Sequence, residues 1–167
     1  MALIVADSSA LILLAKTGLL RDCCATHRLV APASVVAEVA SKELIRKFPN
    51  ARIIADLLRE NRIRVKNPGE ARIRFPGSLH RGEKDALLLA RDTAGSVLAT
   101  DDGKAIKAAK WMGIPYIITP KIVVEIARSG HISKTRAREG IERLGVLGRY
   151  SPDIIAHALI QLSEVEQ

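Results

Sequence analysis

Aromatic residues are scarce in this chain. Phe, Trp and Tyr make up 3% of its 167 residues, with a single Trp. Proteins that grip single-stranded nucleic acid by stacking need several aromatic faces, so any nucleic-acid contact here should run through backbone phosphates rather than bases. Cysteine is nearly as rare: Cys23 and Cys24 are adjacent, a spacing that disulfide geometry disfavours, and no second pair completes a zinc site. They read as small buried apolar residues. Long apolar runs are missing too, since stretches such as 8–15 and 86–90 fall far short of the roughly 20 residues a membrane span requires. The N-terminus has neither the basic start nor the cleavage site of a secretory signal, and a cytoplasmic chain is the expectation. Without a G-x-x-x-x-G-K-[ST] loop, a G-x-G-x-x-G fingerprint or a G-x-S-x-G elbow, P-loop, dinucleotide and serine-hydrolase chemistries lose their support. His27, His80, His131 and His157 are scattered without paired-ligand spacing and read as surface or cap residues.

What the chain has in excess is positive charge, a formal net of +8. It is concentrated. Residues 42–84 hold twelve bases against five acids, a local net of +7, whereas residues 1–41 balance to zero. Such a block is the electrostatic footprint expected for a phosphate-rich partner; the same count also fits a solvated helical face.

Hydrophobic periodicity alternates short β-like runs with helical patterns. Runs at 2–6, 27–31, 63–65, 97–100 and 116–119 read as strands. Helical spacing follows from Ser8, from Pro32, over 50–61, over 80–94 and over 103–112, with residues 67–78 a Pro- and Gly-bearing loop. Ser8 or Ser9 is the expected N-cap of the first helix. After Pro120 two or three helices remain, with breaks near Gly130, 145–148 and Pro152. Alternation of this kind predicts one domain over 1–167, an α/β sandwich of three layers around a parallel sheet with a helical C-terminal tail.

In such sheets ligands gather at the carboxyl ends of the strands, which gives the acids positional meaning. Asp7 follows the first run directly, and Asp101 and Asp102 follow the run ending at Thr100. Glu38 lies inside the Pro32 helix. Glu83 and Asp85 open the helix at 80–94, where acids also complement the helix dipole. Two like charges about 4 Å apart repel by about 4 kcal/mol at an effective dielectric near 20. A hard divalent cation relieves that cost using one or two carboxylates and several waters. Once bound, it supplies a water of lowered pKa and neutralises charge on a phosphodiester.

The order of these motifs resembles the PIN domain family. Val-Ala-Asp-Ser-Ser-Ala-Leu-Ile at 5–12 is similar to its first motif and Pro-Ala-Ser-Val-Val-Ala-Glu-Val at 32–39 to its second. Gly-Glu-Lys-Asp-Ala-Leu at 82–87 resembles the third and Leu-Ala-Thr-Asp-Asp at 98–102 the fourth. The resemblance covers about residues 2–120. It implies a Mg2+- or Mn2+-dependent ribonuclease, in many members a homodimer and the toxin half of a VapC-type toxin–antitoxin pair. Carried over by position, Asp7, Glu38, Glu83 or Asp85, and Asp102 or Asp101 are its acids. Metal falls to Asp7, Asp102, Asp101 and Glu83, with Ser9 and Thr100 in support.

Arg62, Arg64, Arg72, Arg74, Arg81 and Lys84 are the expected contacts to RNA phosphates. Two other readings compete. One is a PIN-like nucleic-acid-binding module without catalysis. The other is a protein that docks a partner, an antitoxin among them, on the apolar helices at 122–127 or 154–162.

Overall fold

A computed structural model describes residues 1–166. Five strands, β1 (Leu3–Ala6), β2 (Arg28–Ala31), β3 (Ile63–Val65), β4 (Ser96–Ala99) and β5 (Tyr116–Ile117), form one sheet in the order β3-β2-β1-β4-β5. Every pairing is parallel, with Val5 opposite Val30 and Ala6 opposite Ala99. The central strand β1 is apolar throughout because both its faces are covered: Ile4, Val5 and Ala6 are all buried.

Ten helices are described: α1 (Ser8–Lys16), α2 (Leu20–Thr26), α3 (Ala33–Val39), α4 (Lys42–Lys47), α5 (Pro49–Arg59), α6 (Arg81–Asp92), α7 (Gly103–Met112), α8 (Thr119–Arg128), α9 (Lys134–Leu147) and α10 (Pro152–Ser163). Helix α1 packs on α2, α3 and α5, and α6 packs on α3, α7, β1 and β4. The tail α8–α10 packs on itself and against α1 and α2, and one continuous core extends from Ile4 to Val165. The α/β architecture with a parallel sheet and a helical tail is the one that the alternating periodicity predicts. Helices α2 and α4 escape that reading because they span only seven and six residues and, unlike the equally short α3, neither is announced by a proline.

Strand order determines where a ligand belongs. From β1 the chain proceeds to β2 and β3 on one side, then crosses to β4 and β5 on the other. The reversal falls between β1 and β4. The carboxyl ends of that pair form the topological switch point at which open α/β sheets bind ligands, and they lead directly into Asp7 and into Asp101–Asp102.

Candidate active site

Asp7 is built in by two devices. Its backbone N–H donates to the Ala99 carbonyl at 3.1 Å, extending the β1–β4 ladder by one residue. Its side chain, rather than that of Ser8 or Ser9, is the N-cap of α1, with Oδ1 accepting from the Ala10 N–H at 3.0 Å. The expected serine cap is therefore displaced by the acid one residue earlier, and the two serines are released for other work. Ser9 Oγ donates to Asp7 Oδ1 at 2.7 Å and accepts from the Asp101 N–H at 2.9 Å. The Thr100 hydroxyl donates to Asp7 Oδ2 and accepts from the Asp102 N–H at 3.2 Å. Two hydroxyl bridges thus tie the β4–α7 turn to both oxygens of one carboxylate.

That carboxylate is only 2% exposed. Burial dominates its acidity: desolvation of the charged form pushes the Asp7 pKa up to about 6 and the nearby Asp101 charge adds to the rise, against the lowering effect of the three hydrogen bonds. A carboxylate offers about four acceptor positions. Three are used, which leaves room for one more electropositive partner.

The paired acids after β4 have separate tasks. Asp102 is the N-cap of α7, Oδ1 accepting from the N–H groups of Lys104 and Ala105, both at 2.9 Å. Its Oδ2 has no hydrogen-bond partner among the described residues. Asp101 has both oxygens on protein partners: Oδ1 accepts from the Thr119 N–H at 2.8 Å and the Tyr150 hydroxyl at 2.5 Å, and Oδ2 from the Thr119 hydroxyl at 2.5 Å. Desolvation raises its pKa as well. The Tyr150 phenol is pushed up in turn, first by burial and then by the Asp101 charge. Nothing in the sequence marks Tyr150 or Thr119, because their partner lies 49 and 18 residues away.

Glu38 reaches the same edge from α3. Ser8 Oγ donates to its Oε2 at 2.5 Å, and the Gly82 N–H at the start of α6 donates to its Oε1 at 3.2 Å. Glu83 is turned the other way, with Oε2 accepting from the His80 N–H at 2.8 Å as the acidic member of a capping box. Asp85 accepts from Ser34 Oγ at 2.6 Å and lies 3.7 Å from the Arg81 guanidinium. Neither Glu83 nor Asp85 shares a hydrogen-bond partner with Asp7 or Glu38.

The candidate phosphate contacts of the basic block do not all line one cleft. Arg62 precedes β3, at the amino end of the sheet and opposite the acids, and donates to the Cys24 carbonyl at 3.2 Å. Arg64 lies within β3 and lines a cleft of about 620 Å³ that also includes Arg62. Arg72 and Arg81, by contrast, line a cleft of about 770 Å³ with Ser34, Asn67 and Asp85. That cleft is formed by the first turn of α3, the segment after β3 and helix α6. Arg74 and Lys84 are exposed.

Helix α8, one of the two apolar faces considered for docking, is core: Ile122, Val123, Val124, Ile126 and Ala127 are buried. In α10, Ala158 and Leu162 are buried while Ile154 and Ile160 are exposed. Cys23 and Cys24 are buried free thiols, with Cys24 raised by burial to about 11.

Whether a metal fits here can be judged from the donors. Carboxylate and hydroxyl oxygens are the hard ligands that Mg2+ and Mn2+ prefer. Among the described residues no three His, Cys, Asp or Glu side chains converge as a ready-made cage. A cation that retains most of its waters needs only one or two carboxylates, which Asp7 and the Oδ2 side of Asp102 can supply.

The fold is an α/β fold whose parallel sheet carries a buried carboxylate at its topological switch point. The match to a known family is direct: the family model DUF3368, described as a PIN domain, covers residues 3–164, and the chain belongs to the PIN domain family. PIN domains are in general nucleases, and typically employ divalent metals. No curated protein matches the chain. No described helix is long and apolar enough to cross a membrane.

Proposed function

We propose that this chain is a Mg2+- or Mn2+-dependent endoribonuclease acting on single-stranded or looped RNA. The observation that carries the reading is Asp7, buried at the switch point with a raised pKa and tied to the Asp101–Asp102 turn through Ser9 and Thr100. Asp7 and Asp102 would hold the metal, and Glu38 would orient water or a phosphate oxygen from the facing helix. When bound, the cation supplies a water of lowered pKa and charge neutralisation at the phosphodiester.

The chain's own residues do the rest. The Ser9 and Thr100 hydroxyls keep both Asp7 oxygens aimed, and Asp102 retains one oxygen for the site while the other caps α7. Glu38, exposed and hydrogen-bonded by Ser8, stands ready to accept a proton from water. Asp101 locks the turn to the tail rather than contacting the reacting atoms, and Glu83 holds the first turn of α6. Arg72 and Arg81 guide phosphates along the cleft beside the acids.

On this reading RNA is the substrate. A small antitoxin and a second copy of the chain are the partners in the toxin form, in the cytoplasm. Cleavage of a mixed RNA panel with Mg2+ or Mn2+, with and without excess chelator, tests the activity; undiminished cutting by Asp7→Asn, or in chelator, would overturn it. Light scattering of the purified protein and co-purification with the product of an adjacent small gene test the partners.

A further inference from the structure

We infer that Gly82 is a positioning residue whose missing side chain sets where the Glu38 carboxylate stands. The inference rests on the nuclease reading for its consequence in catalysis, but not for the contact itself. Gly82 is the second residue of α6 and is buried. Its φ is not among the positive ones, so its backbone needs no glycine. In a helix, glycine costs about 1 kcal/mol relative to alanine, and something other than backbone geometry must account for it here.

The account is steric. A Cβ at Gly82 would lie 2.4 Å from Glu38 Oε1, 2.9 Å from Cδ and 3.0 Å from Oε2. With no Cβ present, the carboxylate comes close enough to accept the Gly82 N–H, one of the amides that a helix start leaves without an intrahelical partner. Ser8, adjacent to Asp7 in the chain, donates to the other oxygen. Glu38 is thereby clamped between the residue following Asp7 and the opening turn of α6. Glu83 meanwhile satisfies the His80 amide in that same turn, so the two acids have different tasks at one helix start.

An alanine at Gly82 need not disturb the fold, because the obstructing atoms are the end of a flexible, exposed side chain. Glu38 would swing away and the helix would gain the preference of alanine over glycine. The prediction therefore separates position from stability. In Gly82→Ala, the melting temperature in EDTA should stay level or rise. The 13C signal of the Glu38 carboxyl should move in metal-free protein, and Mn2+ affinity and RNA cleavage should fall by about 10–100-fold, the usual effect of losing an outer partner of a metal site.

The double variant Gly82→Ala/Glu38→Asp, with one methylene fewer, should recover part of the Mn2+ affinity. Gly145→Ala, whose added Cβ would make only ordinary contact with Ile155 at 3.5 Å, should leave the Glu38 signal, Mn2+ affinity and RNA cleavage unchanged. An unmoved Glu38 signal, full Mn2+ affinity in Gly82→Ala, or a melting temperature several degrees lower would overturn the inference. If the wild-type protein neither binds Mn2+ nor cuts RNA while the Glu38 signal still moves, the positioning contact stands and the nuclease reading falls.

Discussion

Removing the charge of Asp7 should stabilise the metal-free protein while abolishing its activity. Each pKa unit corresponds to about 1.36 kcal/mol between protonation states, so a rise from 3.8 to about 6 makes ionising Asp7 in the folded state cost roughly 3 kcal/mol. The sign follows from linkage. Because the folded state binds this proton more tightly than the unfolded chain, the Asp7 contribution is most favourable below pH 3.8 and is lost as pH rises through about 6.

In Asp7→Asn that loss disappears. The amide oxygen can still accept from Ala10 and Ser9, whereas the Thr100 hydroxyl forfeits its acceptor, a cost of about 1 kcal/mol. The net gain at pH 8 is about 2 kcal/mol, or roughly 4–8 °C in melting temperature for a chain of this size. Thermal unfolding in EDTA from pH 4 to 8 should show wild-type stability declining through this window relative to a flatter variant. Saturating Mg2+ at pH 8 should raise the wild-type curve and raise the variant's less, since the variant keeps only Asp102 of the two carboxylates that would hold the cation. Equal pH slopes for the two proteins, or a variant that melts lower at pH 8, would refute the desolvated-carboxylate account.

The two acids after β4 should separate cleanly: Tyr150→Phe, which removes one hydrogen bond to Asp101, should lower stability by about 1–2 kcal/mol in urea unfolding, whereas Asp102→Ala should cost about 1 kcal/mol as a lost N-cap and eliminate cleavage. Glu83→Gln should retain RNA cleavage and change stability by less than about 1 kcal/mol, because glutamine can also complete a capping box, while Glu38→Gln should reduce turnover in the same assay. Replacing Arg72 and Arg81 together by alanine should weaken RNA binding and reduce the slope of log affinity against log salt by about 1.4, at about 0.7 per single-strand phosphate contact; Arg62→Ala, at the opposite end of the sheet, should leave that slope unchanged.

Elements whose signal is local were legible from residues alone. The run at 2–6 and the Asp7 that ends it, the helix after Pro32 and the amphipathic stretch at 80–94 all declare themselves through side chains within one or two turns of each other. An acid placed directly after a strand in an alternating β/α chain then falls at the carboxyl edge by topology. This is why Asp7, Asp101 and Asp102 could be marked as site candidates without coordinates.

Which of their oxygens is available could not be read in that way. Asp101 and Asp102 are neighbours with identical side chains, but partners at Thr119 and Tyr150 occupy both oxygens of one, whereas the other keeps an oxygen without a protein partner. Glu83 and Glu38 differ for the same reason: one bonds three residues back in its own helix, and the other meets a glycine 44 residues on. Charge summed along the chain marks the basic block without placing its members in space. Strand β3 runs the depth of the sheet within that block, leaving Arg62 at the amino end and delivering Arg72 and Arg81 to the carboxyl edge where the acids stand.

The sequence by itself therefore determined the layers, the strand ends and the set of acids, since these depend on periodicity and chain order. Only the tertiary structure decided which acid is buried, which oxygen is free and which arginines share the acidic edge. Desolvation and hydrogen bonding depend on neighbours in space, and in this fold the deciding neighbours are distant in the chain.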